Sequence, residues 1–238
     1  VNESLKLIEK NYQKNLLALG IDLGTSGVRI SIINQKKDVI YSDKISYFNS
    51  FENCNEWKKC CQNLLIKIPA SYKENLVACA IDGTSGTLLA CDYKGNALGD
   101  AIPYHCSLRE LTSAYEKSIL KDDFIAKYGS VLRGIYLINK YGENILLRHQ
   151  ADWISGWLLN NWEYGEESNN IRLGWNLITK DWDTSIKSLN WNKQLPKIIT
   201  SGSNLGMISQ EIATDLRLPK NIQIVAGTTD SNAAVLAA

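Results

Sequence analysis

Apolar residues recur at alternate positions in three consecutive stretches near the start of the chain. This pattern is typical of half-buried strands, and it predicts strands over 16–22, 28–34 and 38–47, with a polar turn at 35–37 between the last two. Over 55–68 the spacing changes, and the apolar residues fall on one side of a helix. Strands therefore dominate the first part of the chain, and an amphipathic helix interrupts them.

Two further apolar strands, over 76–81 and 87–92, follow this helix, and the spacing becomes helical from about residue 107. The second part of the chain is predicted to contain helices over 107–120, 122–128, 132–139, 146–159 and 209–216, an irregular Trp-rich region over 160–195, a strand over 221–226 and a helix start over 231–238. No linker rich in Pro, Gly or Ser divides the chain. We therefore expect one domain over 16–238, preceded by an N-terminal extension over 1–15.

Three of the predicted strands end in an acid beside small residues. The segments IDLGTSG at 21–27 and IDGTSG at 81–86 both place Asp, Gly, Thr and Ser directly after an apolar strand, and Asp230 follows the strand at 221–226. Open α/β sheets bind ligands at the carboxyl ends of their strands. These three turns are therefore the candidate functional positions.

The first turn suits a metal ion together with a phosphate group. Glycine lets backbone amides approach an anion, and Thr and Ser add hydroxyl donors. Asp22 would repel phosphate unless a cation, normally Mg²⁺, lay between them. The turn thus favours a metal–phosphate site without a Walker lysine, although a hairpin with a capping Asp explains the same spacing equally well.

Two interpretations fit Asp230, which precedes the small residues Ser-Asn-Ala-Ala. One is a plain helix N-cap, a position at which Asp is favoured. The other is a carboxylate that accepts a proton from an attacking hydroxyl, or orients it, and that a helix N-terminus keeps ionised. The second suits phosphoryl transfer, in which positioning and charge stabilisation matter more than a strong base.

Composition and charge restrict the classes of partner. With 26 basic and 25 acidic residues among 238, the net charge is +1, so no overall field attracts nucleic acid or an anionic membrane. No apolar run approaches the roughly 18 residues of a membrane span. The six cysteines form no CxxC pair and have no zinc spacing with the two histidines. We therefore expect reduced, buried thiols and a cytoplasmic protein.

Taken in order, the motifs resemble those of the FGGY carbohydrate kinases, within the actin-like ATPase superfamily, over nearly the whole of 16–238. The matching segments are GIDLGTSGVR at 20–29, AIDGTSGTLLACD at 80–92, HQADWISGWL at 149–158, LGWN at 173–176, KDW at 180–182 and VAGTTDSNAA at 225–234. The GTSGT and GTTDSNAA variants are most similar to pentulose kinases of the ribulose or xylulose type. Each motif alone is weak, but all of them in one order are specific.

The resemblance implies a fold and a reaction. The implied fold is the N-terminal lobe of an FGGY kinase, an α/β lobe of the ribonuclease H-like (actin-like ATPase) type. It has a mixed five-stranded sheet, whose first three strands are antiparallel, and helices on both faces. The implied reaction uses ATP and Mg²⁺ to phosphorylate a sugar hydroxyl, with a ketopentose such as ribulose or xylulose as the expected substrate. Neither nucleic acid nor a membrane is expected as a partner.

The resemblance also assigns roles to matched residues. The implied site residues are Asp230, Asp22 and Thr25 for catalysis, Gly24, Thr25, Ser26 and Arg29 for phosphate, Thr84, Ser85 and Asp230 for the sugar, and Asp22 for the metal. In this scheme Asp230 is the base on the sugar hydroxyl and Asp22 helps to place Mg²⁺. For Arg29, contact with phosphate and pairing with a surface acid are equally favoured.

One departure from the family pattern lies after the second block. The family usually carries an aromatic-x-Asp-x-Arg stretch there, whereas this chain reads IPYHCSLRE at 102–110. Cys106 stands where an acid is expected, and Arg109 is one place late. A structural role is favoured for Tyr104 and His105, with a contribution to the sugar site as the alternative.

The other departure is length. Family members have two lobes with ATP in the cleft between them, and we expect this chain to carry only the first lobe, since it stops eight residues after Asp230. We expect catalysis to need a second lobe, from a longer chain or a separately encoded partner. The main alternative is an inactive sugar-binding or regulatory remnant of a sugar kinase. Another actin-like ATPase, such as a chaperone or filament protein, is disfavoured because it would need neither the HQADW block nor Asp230.

Overall fold

A six-stranded mixed sheet forms the centre of the protein in the computed structural model, which describes residues 15–107 and 129–238. Side by side, its strands are β11 (Asn204–Met207), β12 (Gln223–Val225), β4 (Leu76–Gly83), β1 (Leu17–Leu23), β2 (Gly27–Ile33) and β3 (Val39–Ser46). β1, β2 and β3 run antiparallel in succession. β4 is parallel to β1, β12 is parallel to β4, and β11 is antiparallel to β12. The predicted mixed sheet with an antiparallel start is confirmed.

The sheet has six strands rather than the predicted five, because β11 adds an edge strand that the sequence pattern did not indicate. None of its four residues is buried, and the pairing register shifts at Gly206, where φ is 140°. A short edge strand with one neighbour needs no apolar alternation. Alternation is the signal from which strands are predicted, so β11 gave none.

The helices surround this sheet unequally. They are α1 (Cys54–Lys67), α2 (Ala70–Lys73), α3 (Gly129–Tyr141), α4 (Gln150–Leu159), α5 (Glu167–Asn170), α6 (Thr184–Lys187), α7 (Gln210–Leu216) and α8 (Asp230–Ala237). α1, α4 and α7 share one apolar core with the face of the sheet that carries Leu19 and Ile21. Side chains alternate along a strand, so Gly20 and Asp22 point to the opposite face. That second face is bordered by α8, whose Ala233 lines a cleft together with Gly20 and Asp22.

The amphipathic helix predicted over 55–68 is confirmed as α1. The side chain of Asn53 caps it by accepting a hydrogen bond from Asn55 N. Trp57 on its buried side is fully enclosed and donates from its indole nitrogen to Phe51 O at 2.7 Å. The cysteines buried in this core are Cys54, Cys60, Cys61, Cys79 and Cys91. Here they act as small apolar residues, as the sequence predicts.

The helix predicted over 146–159 is wrong in its first four residues. Leu146–His149 form strand β6, which pairs antiparallel with β5 (Leu88–Cys91), and α4 begins only at Gln150. A short apolar run has the same appearance whether it is a buried strand or a buried helix. The pairing also places β5 outside the central sheet, over a second apolar core that it shares with α3.

The irregular region predicted over 160–195 contains only short elements. They are β7 (Tyr164–Glu166), α5, a 3₁₀ turn at Ile171–Leu173, β8 (Trp175–Asn176), β9 (Asp181–Trp182) and α6. β7 then pairs with β10 (Lys197–Ile199), which follows the region. The helices predicted over 132–139, 209–216 and 231–238 are confirmed as α3, α7 and α8.

Several predictions concern residues that the structure does not describe. Residues 1–14 of the N-terminal extension belong to this group, as do the helices predicted over 107–120 and 122–128, apart from Ser107. Within 15–107 and 129–238, none of the helices has the length and hydropathy that a membrane crossing requires.

Candidate active site

Two carboxylates from neighbouring strands and one from the start of α8 meet at one end of the central sheet. Asp22 and Asp82 are direct partners in the parallel pairing of β1 with β4. One residue further on, Gly83 forms a bridge with Thr229, which places Asp230 beside the same strand end. All three acids line one cleft of about 710 Å³. The parallel register therefore unites the three strand-end acids that the sequence pattern singled out.

Asp82 occupies an unfavourable position for a negative charge. Burial, followed by the negative charge of Asp22 and a hydrogen bond with it, and then by the charge of Asp230, raises the pKa of Asp82 to about 7. Its Oδ1 is buried without a hydrogen-bond partner among the described residues. Asp82 is thus a site residue to which sequence reasoning gave no role, although it follows the same strand-end template as Asp22 and Asp230.

Arg29 is the cation that faces Asp22. The two residues are direct partners across β1 and β2. Arg29 donates from Nε to Asp22 Oδ2 at 2.9 Å, and its Nη2 lies 2.7 Å from the same oxygen. The side chain of Arg29 is 68% exposed and lines the cleft. Of the two alternatives for Arg29, the structure shows pairing with an acid, but that acid belongs to the cleft and Arg29 remains within reach of an anion bound there.

The Gly-Thr-Ser-Gly turn between β1 and β2 is held by backbone contacts and by Tyr47. Gly24 N donates to Gly27 O at 3.0 Å, and the Tyr47 hydroxyl donates to Gly24 O at 3.0 Å. A Cβ on Gly27 would lie 2.2 Å from Ile45 O, so only glycine fits against β3. Gly24 and Thr25 line the cleft.

Ser26 belongs to the same turn but stands apart from the cleft. It is exposed and is not among the residues that line the cleft, and its carbonyl accepts from Tyr47 N at 3.1 Å. The structure therefore brings Gly24 and Thr25 to the cleft and leaves Ser26 beside it.

The second turn places Thr84 at the cleft, where neighbouring side chains already hydrogen-bond to it. Thr84 is 2% exposed, and its amide and hydroxyl donate to Gln150 Oε1 at 3.1 and 2.8 Å. Its hydroxyl also lies 2.8 Å from that of Thr87. Ser85 is half-buried and does not line the cleft. Gln150, whose Nε2 is buried without a described partner, is a supporting residue that sequence reasoning missed, although it lies in the HQADW block.

Asp230 is the first residue of α8 rather than its cap. The cap is Thr229, whose side chain accepts from Asn232 N at 3.3 Å. The N-cap interpretation of Asp230 is therefore wrong. Its carboxylate Oδ1 accepts from Ser231 N at 2.7 Å, at the helix end where a negative charge is favoured. Asp230 lines the cleft, and its other carboxylate oxygen has no hydrogen bond to any of the described residues.

A buried hydrogen-bond network supports the segment before Asp230. Asp152 of α4 accepts from Glu166 N at 2.9 Å. Glu166 in turn accepts from Asn169 N at 2.8 Å and from Asn169 Nδ2 at 3.0 Å. Asn169 Nδ2 also reaches Thr228 O at 3.5 Å. These residues, which sequence reasoning did not single out, connect α4 and β7 to the strand end that carries Asp230.

His149 lies buried beside this network. It is fully buried, with Nε2 3.5 Å from Ser130 Oγ and Nδ1 3.9 Å from Asp152 Oδ2. Burial, reinforced by the positive charges of Arg133 and Arg148, lowers the pKa of His149 to about 3. His149 is therefore neutral at physiological pH and belongs to the scaffold of the site.

The segment that departs from the family pattern contributes one residue to the cleft. Tyr104 lines it and is 48% exposed. The His105 ring packs instead between Tyr104 and Phe51, with centroid distances of 5.1 and 6.4 Å. Cys106 faces a different depression, and Arg109 lies outside the described residues.

The residues of the cleft fit a magnesium ion that accompanies phosphate. In 15–107 and 129–238, no three His, Cys, Asp or Glu side chains are grouped closely enough to form a metal site by themselves. Mg²⁺ at phosphates commonly uses only one or two carboxylates and keeps water and phosphate oxygens as its other ligands. Asp22 already attracts the cationic Arg29, and Asp82 Oδ1 lacks a partner, so Asp22 with Asp82 beside it suits that mode.

No protein-family model matches the sequence. Among solved structures, the chain is similar to a xylulose kinase from Rhodospirillum rubrum, with a TM-score of 0.79 and 15% identity over 93% of this chain and 50% of that one. It is also similar to a ligand-bound xylulose kinase from Lactobacillus acidophilus, with a TM-score of 0.77 and 14% identity, covering 92% of this chain and 49% of that one. For glycerol kinase from Plasmodium falciparum with ADP, the TM-score is 0.76 and the identity 19%, over 92% of this chain and 49% of that one.

These likenesses establish the architecture. The chain spans about half the length of the solved structures that it matches. It aligns over nearly all of its own length despite low identity, as expected when a fold persists with little shared sequence. The predicted fold class is confirmed: the chain shares the fold of about half of each of these carbohydrate kinases.

Proposed function

We propose that the chain is the N-terminal lobe, over 16–238, of a kinase that transfers a phosphoryl group from ATP to a sugar hydroxyl. The observation that carries the proposal is the cleft in which Asp22, Asp82 and Asp230 meet the Gly24–Thr25 turn. Neighbouring acids, a glycine-containing turn and a carboxylate at a helix start are what metal-assisted phosphoryl transfer can use. Three clustered carboxylates repel one another, so the cleft favours a bound cation.

Asp230 is the proposed base. Its position at the start of α8 favours the ionised form, and one carboxylate oxygen is free to accept the proton of the attacking sugar hydroxyl. Thr229 fixes the start of the helix, and Asn169 contacts the preceding carbonyl of Thr228. Asp230 is thus held in one orientation before the sugar binds, which reduces the entropic cost of reaching the transition state.

Asp22 is proposed to hold Mg²⁺. When bound, this ion would neutralise part of the negative charge of the phosphate. In the structure, Arg29 holds the Asp22 carboxylate. We infer that Arg29 turns from Asp22 to the transferred phosphate when Asp22 holds the metal, since the side chain is largely exposed and free to move. Gly24, Thr25 and Ser26 complete the phosphate side, with backbone amides and hydroxyls as donors.

The sugar is proposed to lie between Asp230 and the second turn, near Thr84 and Ser85. Gln150 fixes Thr84 through two hydrogen bonds, so the turn forms a rigid wall rather than a mobile loop. We propose a ketopentose of the ribulose or xylulose type as the acceptor. The motif variants support this choice, and two of the similar solved structures are described as xylulose kinases.

A second lobe is proposed as a requirement for turnover. The chain matches about half of each kinase cited above, and α8 exposes Val235 and Leu236 by 77% and 83%. A one-sided cleft neither excludes water from the phosphate nor encloses the nucleotide. We propose that a longer chain or a separately encoded partner supplies the other side.

Sugar binding by the isolated chain tests the proposal without that second lobe. Calorimetric titration with a panel of ketopentoses is expected to give saturable binding that Asp230→Ala weakens about tenfold, through loss of a charge-assisted hydrogen bond. Lys44→Ala, a change on the neighbouring exposed strand, is the matched control. No binding of any ketopentose by folded chain, or equal binding by the Asp230 variant, would contradict the proposed site.

ADP release with Mg-ATP then separates a kinase from an inactive remnant. Sugar-dependent ADP release that disappears in Asp230→Ala would show a catalytic lobe. If sugar binds but no ADP forms even after the second lobe is supplied, the chain is a sugar-binding or regulatory protein, and the kinase proposal is wrong.

A further inference from the structure

A second depression lies on the far side of β6 from the active site. It has a volume of about 460 Å³, which is within the usual range for small-molecule sites. We call it the Arg148 groove; its lining includes Tyr93, Arg148, Trp162, Trp182, Lys193 and Lys197. No residue lines both this groove and the cleft of Asp22 and Asp230. Adjacent strand residues point to opposite sides, so Arg148 faces away from His149 and its network.

Arg148 is an unusual residue to find buried at the base of a groove. It is 2% exposed, yet no carboxylate of the described residues pairs with it. Its Nε donates to Trp162 O at 2.6 Å, and its Nη1 donates to Leu147 O at 2.6 Å and to Gln194 O at 2.9 Å. These carbonyls orient the guanidinium but do not neutralise it.

The third nitrogen of the Arg148 guanidinium, Nη2, differs from the other two. Nη2 makes no hydrogen bond to any residue in the described part of the chain. Burial lowers the pKa of Arg148 to about 10, so the group is still a cation at neutral pH. Asp152 and Glu163 act on this cation through space but do not pair with it, so an anion bound in the groove would reduce the cost of its burial.

The rim of the groove adds positive charge. Lys193 and Lys197 are exposed there, and Glu163 is the one acidic residue in the lining. Three cations thus face one carboxylate in a chain whose overall net charge is only +1. The local charge therefore favours an anionic ligand, and a planar guanidinium with two lysines is suited to phosphate.

The remaining lining is suited to a sugar. Three aromatic rings, those of Tyr93, Trp162 and Trp182, lie beside the cations, and Asn161 and Asn192 bring side-chain amides. Aromatic faces pack against the C–H faces of sugars, and amides hydrogen-bond to hydroxyls. We propose that the Arg148 groove binds the phosphate ester of a small sugar at a site separate from the active-site cleft.

The test compares ligands on the whole chain. Calorimetric titration is run with a phosphorylated pentose, with the same pentose unphosphorylated and with inorganic phosphate. The ester is expected to bind at least about tenfold more tightly than either single component, because it satisfies both halves of the groove. Lys193→Ala/Lys197→Ala is expected to weaken ester binding about tenfold or more. Both lysines are exposed, so the variant keeps the fold.

Matched variants locate the binding event. Lys36→Ala/Lys220→Ala removes the same charge elsewhere and is expected to leave the affinity unchanged. Arg29→Ala, which alters the active-site cleft, is also expected to leave ester binding in the groove unchanged. Trp182→Phe should remove part of the tryptophan fluorescence change that accompanies binding.

Three results would overturn the proposal. Equal affinities for the ester and for inorganic phosphate would show a site for free anions alone. Ester binding that Arg29→Ala abolishes and the double lysine variant does not would place the ligand in the active site. The absence of ester binding at concentrations up to about 10 mM would show that the groove holds no such ligand.

Discussion

At the scale of single residues, the site depends on what each acid meets across the neighbouring strands. Asp22 faces Arg29 on one side and Asp82 on the other. Arg29 pairs with Asp22, whereas burial and the charge of Asp22 raise the pKa of Asp82. The template identified Asp22, Asp82 and Asp230 from the sequence. The raised pKa of Asp82 could not be predicted, because it requires the parallel register of β1 and β4.

Removing Arg29 is expected to affect the reaction much more than stability. The pair with Asp22 is exposed to solvent, so Arg29→Ala should change the free energy of unfolding by no more than about 1 kcal/mol. In the two-lobe enzyme the same change is expected to slow phosphoryl transfer by about 10²-fold, through loss of a donor to the transferred phosphate. Chemical denaturation and steady-state rates measure the two effects. Lys44→Ala, on the strand position paired with Arg29, is the control, and an equal loss of rate in both variants would contradict the role of Arg29.

The buried His149 is expected to give the protein a specific acid sensitivity. The pKa of His149 is about 3 in the folded state, below its ordinary value of 6.5, so the unfolded chain binds a proton that the folded chain does not. The contribution of His149 to the free energy of unfolding is therefore complete above pH 6.5, and it is lost as the pH falls toward 3. Between pH 6.5 and 4.5 this amounts to about 2 kcal/mol.

Urea denaturation at these two pH values tests the prediction. His149→Gln should reduce the loss of stability between pH 6.5 and 4.5, whereas replacement of the other histidine, His105→Gln, should leave it as in the wild type. An unchanged pH dependence in His149→Gln would show that a different group is responsible.

At the scale of elements, the close approach of β12 to β4 places the catalytic segment. A Cβ on Gly227 would lie 1.8 Å from Ile81 O, so the strand end can come this near only with glycine. The sequence predicts both strands, and it predicts that an acid follows each. It does not predict β11 or the pairing of β5 with β6, because these pairings join segments far apart in the chain and leave no periodic signal.

Adding one methyl group at Gly227 is expected to disturb both the fold and the site. The methyl group added by Gly227→Ala would push the backbone at Gly227 away from that of β4. We expect a loss of about 1–3 kcal/mol in the free energy of unfolding. Gly129→Ala is the matched control, since its Cβ would lie 3.6 Å from Arg133 Nη1, an ordinary contact, and Gly129 does not line the cleft. Ketopentose affinity should fall only in the Gly227 variant. Equal destabilisation by the two changes would contradict the role assigned to this approach.

At the scale of the whole molecule, the two faces of the central sheet are covered unequally. The sheet buries one face under α1, α4 and α7 and leaves the face of Gly20 and Asp22 bordered by α8 alone among the described elements. The kinases with the same fold are about twice as long. The sequence motifs predicted this architecture because they mark strand ends, which any member of the fold needs. They do not reveal the Arg148 groove, whose residues come from several loops without a motif of their own.

Ketopentose-dependent ADP release by this lobe together with its second lobe tests the central claim most directly. We expect release that requires both Mg²⁺ and the sugar and that falls about 10²- to 10⁴-fold in Asp230→Ala, the range for loss of a general base. Lys36→Ala, remote from the cleft, should keep the wild-type rate. ADP release that is independent of the sugar, or that survives in Asp230→Ala, would contradict the assignment of the cleft to sugar phosphorylation.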